Sequence, residues 1–316
     1  MQNNAIRVKR EKKEKRSFKE TLHKVYKDRH LYILLLPALL ITFVFCYCPM
    51  PGLIMAFENF RIYDGLFGSE WVGLANIKNI FTQGKFVTAI GNTLSISVLS
   101  LLITFPAPII LALLINEIKN KKFKKFVQTA SYLPHFLSWI SVVGLVQILF
   151  GRDGLVNDFR MMFGAEGRIT FLAQQNLFIW FVLGTTLWKE VGWGTIIHLA
   201  NLTSINPELY EAAEVDGAKY FQKLWYITLP HMIPTIMILL IFQMGGLFRS
   251  NFELIYGLQN PFIDFDVIST IIYHTGIQNG NYSMSTAVGF MEGIIALLLV
   301  MASNWISKKV TGSGIF

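Results

Sequence analysis

Apolar residues gather in long unbroken runs separated by short polar stretches. Six such runs occupy roughly positions 31–56, 86–115, 128–150, 177–200, 231–250 and 285–306. Each reaches, or nearly reaches, the ~20 residues a helix needs to cross a hydrocarbon core. Lipid offers no partner to a bare backbone N–H or C=O, so runs of this kind predict helices. The expected fold is an all-α membrane protein with six transmembrane helices. The second run carries Pro106 and Pro108, which predicts a kinked or tilted helix. No internal repeat or low-complexity stretch breaks the pattern. Residues 31–316 therefore read as one membrane domain behind a leader of residues 1–30.

Polar residues refine this picture through their placement. Hydrophobic residues make up 53% of the 316 and charged residues 15%, against about 25% charged in soluble domains. The net charge of +8 does not spread over a recognition surface for nucleic acid, because eleven of the 28 Lys and Arg fall in the first thirty residues. With the N-terminus placed in the cytoplasm, inner segments hold twenty basic residues (the leader, 117–127, 201–230 and Lys308–Lys309). Outer segments hold six. That asymmetry over short loops predicts both termini in the cytoplasm. In the leader, Phe18, Leu22 and Val25 recur at helical spacing among Lys19, Lys24, Lys27 and Arg29. This fits an interfacial helix on the inner leaflet or a solvated basic tail. The run after it is too long for a cleavable signal peptide and no small-residue cleavage site follows.

Catalytic and metal chemistry find little support. Cys46 and Cys48 lie inside an apolar run with no second pair or accompanying His, and read as small lipid-facing or packing residues. His135, His198, His231 and His274 are scattered over separate segments without ligand spacing.

Between the fourth and fifth runs, residues 201–230 form a loop too long for a simple turn. Asn206-Pro207 is a helix start, a capping side chain followed by a residue that needs no amide partner. Glu208 sits in the first turn, where the helix dipole favours an acid. Ala212 and Ala213 allow close approach, and Asp216-Gly217 is a break. A second amphipathic stretch, residues 218–227, leads through Leu229-Pro230 into the fifth run. The loop is expected to present a helix, a turn and a second helix as a knob.

These residues carry a specific pattern: Glu211-Ala212-Ala213, three residues, Gly217, nine residues, then Ile227-Thr228-Leu229-Pro230. It resembles the coupling motif of permeases from binding-protein-dependent ABC importers, and Asp216 and Ala218 agree with its common form. Leu224 departs from the Phe of many sugar permeases, an exchange of one apolar residue for another. Trp71-Val72-Gly73-Leu74-Ala75-Asn76 is similar to a turn of carbohydrate permeases. Ser131-Tyr132-Leu133-Pro134-His135-Phe136-Leu137-Ser138-Trp139 is similar to permeases for complex oligosaccharides such as polygalacturonan fragments.

The resemblance implies a type I importer permease fold in the cell membrane. In that family Glu208, Glu211, Ala212, Ala213, Asp216, Gly217, Ala218, Leu229 and Pro230 would form the surface that docks on an ATPase. The implied partners are a second, different permease, two ABC ATPases and an extracellular solute-binding protein. No P-loop pattern occurs in the sequence, so ATP and Mg are expected on the partner ATPase and no cofactor in this chain, which is no enzyme by itself. The implied cargo is an oligosaccharide, with another polar solute as the alternative. An ion-coupled secondary transporter would leave the coupling motif without purpose.

Sugars present hydroxyls and weakly apolar C–H faces, so a path for them combines amides or carboxylates with aromatic platforms. Polar groups within spans are costly and mark such paths. Trp188, Trp193, Gln243, Phe248, Asn251 and Glu292 are the candidate path residues on these grounds. Adjacent Lys189 and Glu190 are expected on different helix faces, with Lys189 stacked on Trp193 or tied to a neighbouring surface. Asn92 and Thr93 are expected to bond between helices.

Overall fold

The computed structural model describes residues 26–312. The expected interfacial helix through Phe18, Leu22 and Val25 lies outside them. Packing divides the chain into two compact units, Met1–Leu53 and Ile54–Phe316. In the first, α1 (Arg29–Thr42) carries Pro37 and runs into a π-helical turn, Phe43–Tyr47. Cys46 and Cys48 are exposed free thiols.

The second unit opens with a two-residue antiparallel ladder, β1 (Glu58–Asn59) against β2 (Glu70–Trp71). The Trp71–Asn76 motif explains its closure. Gly73 takes φ 60°, a left-handed value that glycine adopts freely. Asn76 then donates from Nδ2 to the carbonyls of Ala56 at 3.1 Å and Glu58 at 2.9 Å.

The second expected span is α2 (Gly84–Leu99), a π-helical segment Ser100–Thr104, and α3 (Ala107–Asn116). Where the kink is expected, the α-helical ladder is interrupted by the π segment, followed at once by Pro106 and Pro108. The third expected span departs from a single helix. It is split into α4 (Lys121–Tyr132), a 3₁₀ turn Leu133–Phe136, and α5 (Trp139–Phe150). Pro134 lies in that turn, and Ser138 restarts the helix by accepting from the Ser141 N–H at 3.2 Å. At 12 residues, α5 covers only about 18 Å.

Later helices include α6 (Gln175–Thr203), α7 (Pro207–Val215), α8 (Leu229–Gly245), α9 (Phe252–Leu258) and α10 (Tyr282–Thr311). Among the described residues, five helical segments are long and apolar enough to cross a membrane: Arg29–Phe57, Gly84–Asn116, Trp139–Met162, Tyr220–Gly245 and Tyr282–Lys309. The other expected span, α6, has 29 residues, ample by length at about 43 Å. Its Lys189-Glu190 pair and its glycines and threonines dilute the apolar character.

Two contacts fix α6 among its neighbours. A Cβ on Gly192 would overlap the Ser131 carbonyl at the end of α4, and one on Gly194 would press on Pro108 of α3 at 2.9 Å. At the loop end, Ala112 and Ile115 of α3, Leu199 and Leu202 of α6, Ile205 and Met232 form one buried cluster. Thr93 bonds helix to helix as expected, accepting at 2.9 Å from the N–H of Ile268, the first residue of the short helix Ile268–Ile272. Asn92 instead donates at 2.8 Å to the carbonyl of Asp266, in the non-helical backbone just before that helix.

Candidate functional site

The loop after α6 folds as its sequence dictates. Asn206 accepts from the Glu208 N–H at 3.1 Å, Pro207 takes the first helical position, and α7 follows. Its far end closes in a reciprocal pair of bonds: Ala218 N–H to Ala213 O at 2.8 Å and Gly217 N–H to Glu214 O at 3.0 Å. That pairing needs a left-handed residue between helix and exit, and Gly217 supplies it at φ 77°. From Gly217 the chain enters a helical turn, Tyr220–Lys223, then a π segment, Leu224–Thr228, then α8.

One side of α7 is anchored and the other is presented. Tyr210 bonds through its hydroxyl to Thr228 Oγ1 at 2.9 Å and packs on the cluster around Ile205 and Met232. Leu209 is 51% and Val215 89% exposed. Glu208, Glu211, Ala212, Asp216, Gly217 and Pro230 are exposed, while Ala213, Ala218 and Leu229 are half-buried. Across the turn, Lys223 Nζ lies 2.6 Å from Glu214 Oε1. The hydrogen bond and then the charge of Lys223 hold the Glu214 carboxyl below its usual range.

Beyond this loop, the Ser100–Thr104 segment, α6 and α8 enclose a cavity of about 410 Å³. Thr186, Glu190, Trp193 and Ile197 fall at helical spacing and give α6 one continuous lining face. Gln243 and Phe242 face them from α8. The cavity thus joins the rings of Phe105, Trp193 and Phe242 with an amide and a carboxylate.

The break in the third span sits against the same face. Lys189, 4% exposed, donates from Nζ to the His135 carbonyl at 2.8 Å and reaches Glu190 Oε1 at 3.3 Å. Glu190 Oε2 receives His135 Nδ1 at 2.8 Å. The His135 ring stacks on Trp193 at 4.4 Å and 2°. The expected separation of Lys189 and Glu190 therefore fails. The four-methylene lysine stem spans the 100° between neighbours, and both groups converge on His135. The expected stacking of Lys189 on Trp193 is also replaced, since its ammonium lies over Trp139 at 4.7 Å. A broken helix leaves carbonyls without amide partners, and a buried cation satisfies one here.

The six candidate path residues divide. Trp193 and Gln243 meet in the cavity. Trp188 lines a separate apolar groove of about 620 Å³ with Trp180 and Leu145, since five residues of helix rotate it about 140° from Trp193. Phe248 is buried in a packing cluster with Phe86 and Ile268. Asn251 caps α9 by accepting from the Leu254 N–H at 3.1 Å. Glu292 is half-buried within electrostatic reach of Arg249 and does not line the cavity. Sequence reasoning missed His135, Thr104 and His198 as neighbours of this site, while Glu190 stood out with Lys189 as a charged residue within the fourth run. His135 was visible within its motif, but its role depends on the break. A second polar recess of about 470 Å³, walled by Tyr256, Gln259, Asp266 and His274, carried no signal in the hydropathy pattern.

Residues 104–311 match the family described as binding-protein-dependent transport system inner membrane component. Over 308 residues the chain is 41% identical to the polygalacturonan/rhamnogalacturonan transport system permease protein YteP of Bacillus subtilis (strain 168), covering 96% of this chain and 95% of that protein. Among solved structures it is similar to a chain of a bacterial ABC transporter involved in the import of the acidic polysaccharide alginate. The TM-score is 0.84 at 40% identity, over 92% of this chain and 99% of that one. A bacterial alginate ABC transporter in complex with an alginate pentasaccharide-bound periplasmic protein gives a TM-score of 0.85 at 40% identity, over 93% and 99%.

Proposed function

Because the chain belongs to the family of binding-protein-dependent transport system inner membrane components, it is the permease of a sugar-importing ABC transporter, and we propose that its cargo is an acidic oligosaccharide. The relatives named for polygalacturonan and for alginate support an acidic cargo. On this reading the chain crosses the membrane six times, α6 being the span that composition hides, with both termini in the cytoplasm. The loop charges support that orientation. A second permease completes the path, two ATPases carry ATP and Mg, and a solute-binding protein delivers the sugar.

One observation carries the reading. The knob of α7 is anchored from below by Tyr210 and Thr228, and it joins the two helices that wall the cavity. Its presented side, with Leu209, Glu211, Ala212 and Val215, docks on the ATPase. Movement of the knob is passed to α6, which carries Glu190 and Trp193, and to α8, which carries Gln243. Closure of the ATPases thereby reshapes the cavity, on the α8 side through the helical turn Tyr220–Lys223 and the π segment Leu224–Thr228.

Uptake of labelled tetragalacturonate by cells expressing the whole importer tests this. The wild type accumulates it, and Trp193→Ala and Gln243→Ala each lower the rate about tenfold, the equivalent of about 1.4 kcal/mol, in complexes that still assemble. Absence of wild-type uptake rejects the acidic cargo. Wild-type rates in both variants remove the cavity from the path.

A further inference from the structure

One side of α4 is held by the protein. Val127 packs on the cluster of Ile115, Leu199 and Leu202 beside the coupling loop, and Ser131 closes on Gly192 of α6. The rest of the helix surface bears two stripes. Lys121, Lys122 and Lys125 are exposed along one, and Phe123 and Phe126, 54% and 68% exposed, along the other. At about 100° per residue the three lysines share one arc and the two rings take the arc directly beside it. With Lys119 and Lys124 the segment carries five lysines in seven residues. None of the five forms an ion pair among the described residues, and Lys121 and Lys125, one turn apart, repel each other. The helix is ordered all the same, because Asn120 accepts from the Lys122 and Phe123 N–H groups at 2.9 and 3.1 Å. A cationic stripe alongside an aromatic one fits a surface that is apolar within and anionic at its edge.

We propose that α4 docks on anionic phospholipid headgroups of the inner leaflet, with Lys121, Lys122 and Lys125 on the phosphates and Phe123 and Phe126 among the upper acyl chains. It rests on the reading that the coupling loop faces the cytoplasm. Charge complementarity commits the face to this occupant, since each lysine near an anionic leaflet is worth about fivefold in affinity. A neutral headgroup would take the rings and leave the lysines unpaired. Continuity with the lipid side of the chain favours a membrane over a protein, because the exposed apolar residues run on into the break as Leu133 and Phe136. The contact anchors the loop end of the broken third span, whose other end closes on the cavity wall at Gly192.

The test reconstitutes the whole importer, ATPases included, into phosphatidylcholine vesicles. These contain a small, equal fraction of either phosphatidylglycerol or phosphatidylcholine carrying the same brominated chains. Bromine quenching is read from Phe126→Trp against the complex without that substitution. Brominated phosphatidylglycerol should quench the added indole several-fold more than brominated phosphatidylcholine, and the preference should fall as salt rises. It should vanish when Lys121→Gln, Lys122→Gln and Lys125→Gln are combined, and survive the corresponding three changes to arginine. Equal quenching by the two lipids overturns the proposal, as does a preference that persists in the glutamine variant. Quenching by neither lipid places Phe126 against protein, an acidic face of the ATPase for instance, and also overturns it. Should the glutamine complex fail to assemble, the lipid comparison and its salt dependence in Phe126→Trp decide alone. Orientation is read separately from Lys119→Cys and a membrane-impermeant maleimide. Labelling in intact cells above the background of Cys46 and Cys48 rejects the cytoplasmic reading and the inner leaflet together. A protected Lys119→Cys with no lipid preference rejects the docking alone.

Discussion

Lys189 shows how an ionisable residue inside a membrane helix serves structure and site at once. Its ammonium satisfies the His135 carbonyl released by the break, and its neighbour Glu190 orients the ring stacked on Trp193. Replacing it with methionine keeps the stem and removes the charge. Lys189→Met is expected to leave the carbonyl and Glu190 short of partners, each loss costing about 1–3 kcal/mol. The purified complex should unfold at a lower temperature, and the Trp193 platform should loosen so that uptake falls as well. A melting temperature equal to wild type would remove Lys189 from this role. Trp193 and Gln243, which line the cavity, stand out in the sequence as aromatic and polar groups within apolar runs. Phe248 lies in a buried packing cluster and Asn251 caps α9, because α8 ends at Gly245 and the residues beyond follow a new direction. The sequence pattern carries no signal for that turn.

Among the elements, the coupling loop was the most legible, since caps and a glycine turn are local chemistry. Its residues formed the bonds that their types predict. Gly217 tests the element directly. A Cβ there meets no atom within 4 Å, so Gly217→Val costs only the left-handed backbone, about 1–2 kcal/mol. The knob should lose its shape without a clash, giving an assembled complex that hydrolyses ATP but transports several-fold more slowly per ATP. A wild-type ratio of transport to hydrolysis would refute the expectation.

The Glu214–Lys223 pair adds a pH dependence to the same element. A carboxyl held below its usual value lends stability fully present above the unfolded value of about 4.3, and loses it as pH falls through the depressed folded value. Hydrogen exchange of the loop should therefore distinguish wild type from Lys223→Met at pH 7 and cease to do so in strong acid. A difference that persists there would place the effect elsewhere. The third span was less legible than this loop. Pro134 was visible, but an apolar run of 128–150 reads as continuous unless the partner of the broken carbonyl is known, and that partner lies 54 positions away. Composition also under-represents α6, whose polar residues belong to the site.

For the whole molecule, the hydropathy pattern and the coupling motif sufficed to place the family, because a membrane imposes its constraints on every span. The cavity required three dimensions, since its walls come from the Ser100–Thr104 segment, α6 and α8, separated in sequence by loops that record nothing of their meeting. One property of those walls bears on the electrical work of import. Among the described residues no Lys or Arg lines the cavity, and Lys189 beside it is committed to His135 and Glu190. If the cargo is the acidic oligosaccharide proposed above, a polyanion crosses with its own charge exposed to the membrane potential. Each elementary charge is opposed by about 2.3 kcal/mol per 100 mV, so a cargo with four carboxylates faces about 9 kcal/mol at that voltage. Collapsing the potential with an ionophore while ATP is held constant should accelerate uptake of tetragalacturonate and leave its carboxyl-reduced counterpart unchanged. Equal responses of the two would mean that counter-ions travel with the sugar, and that import is electrically silent.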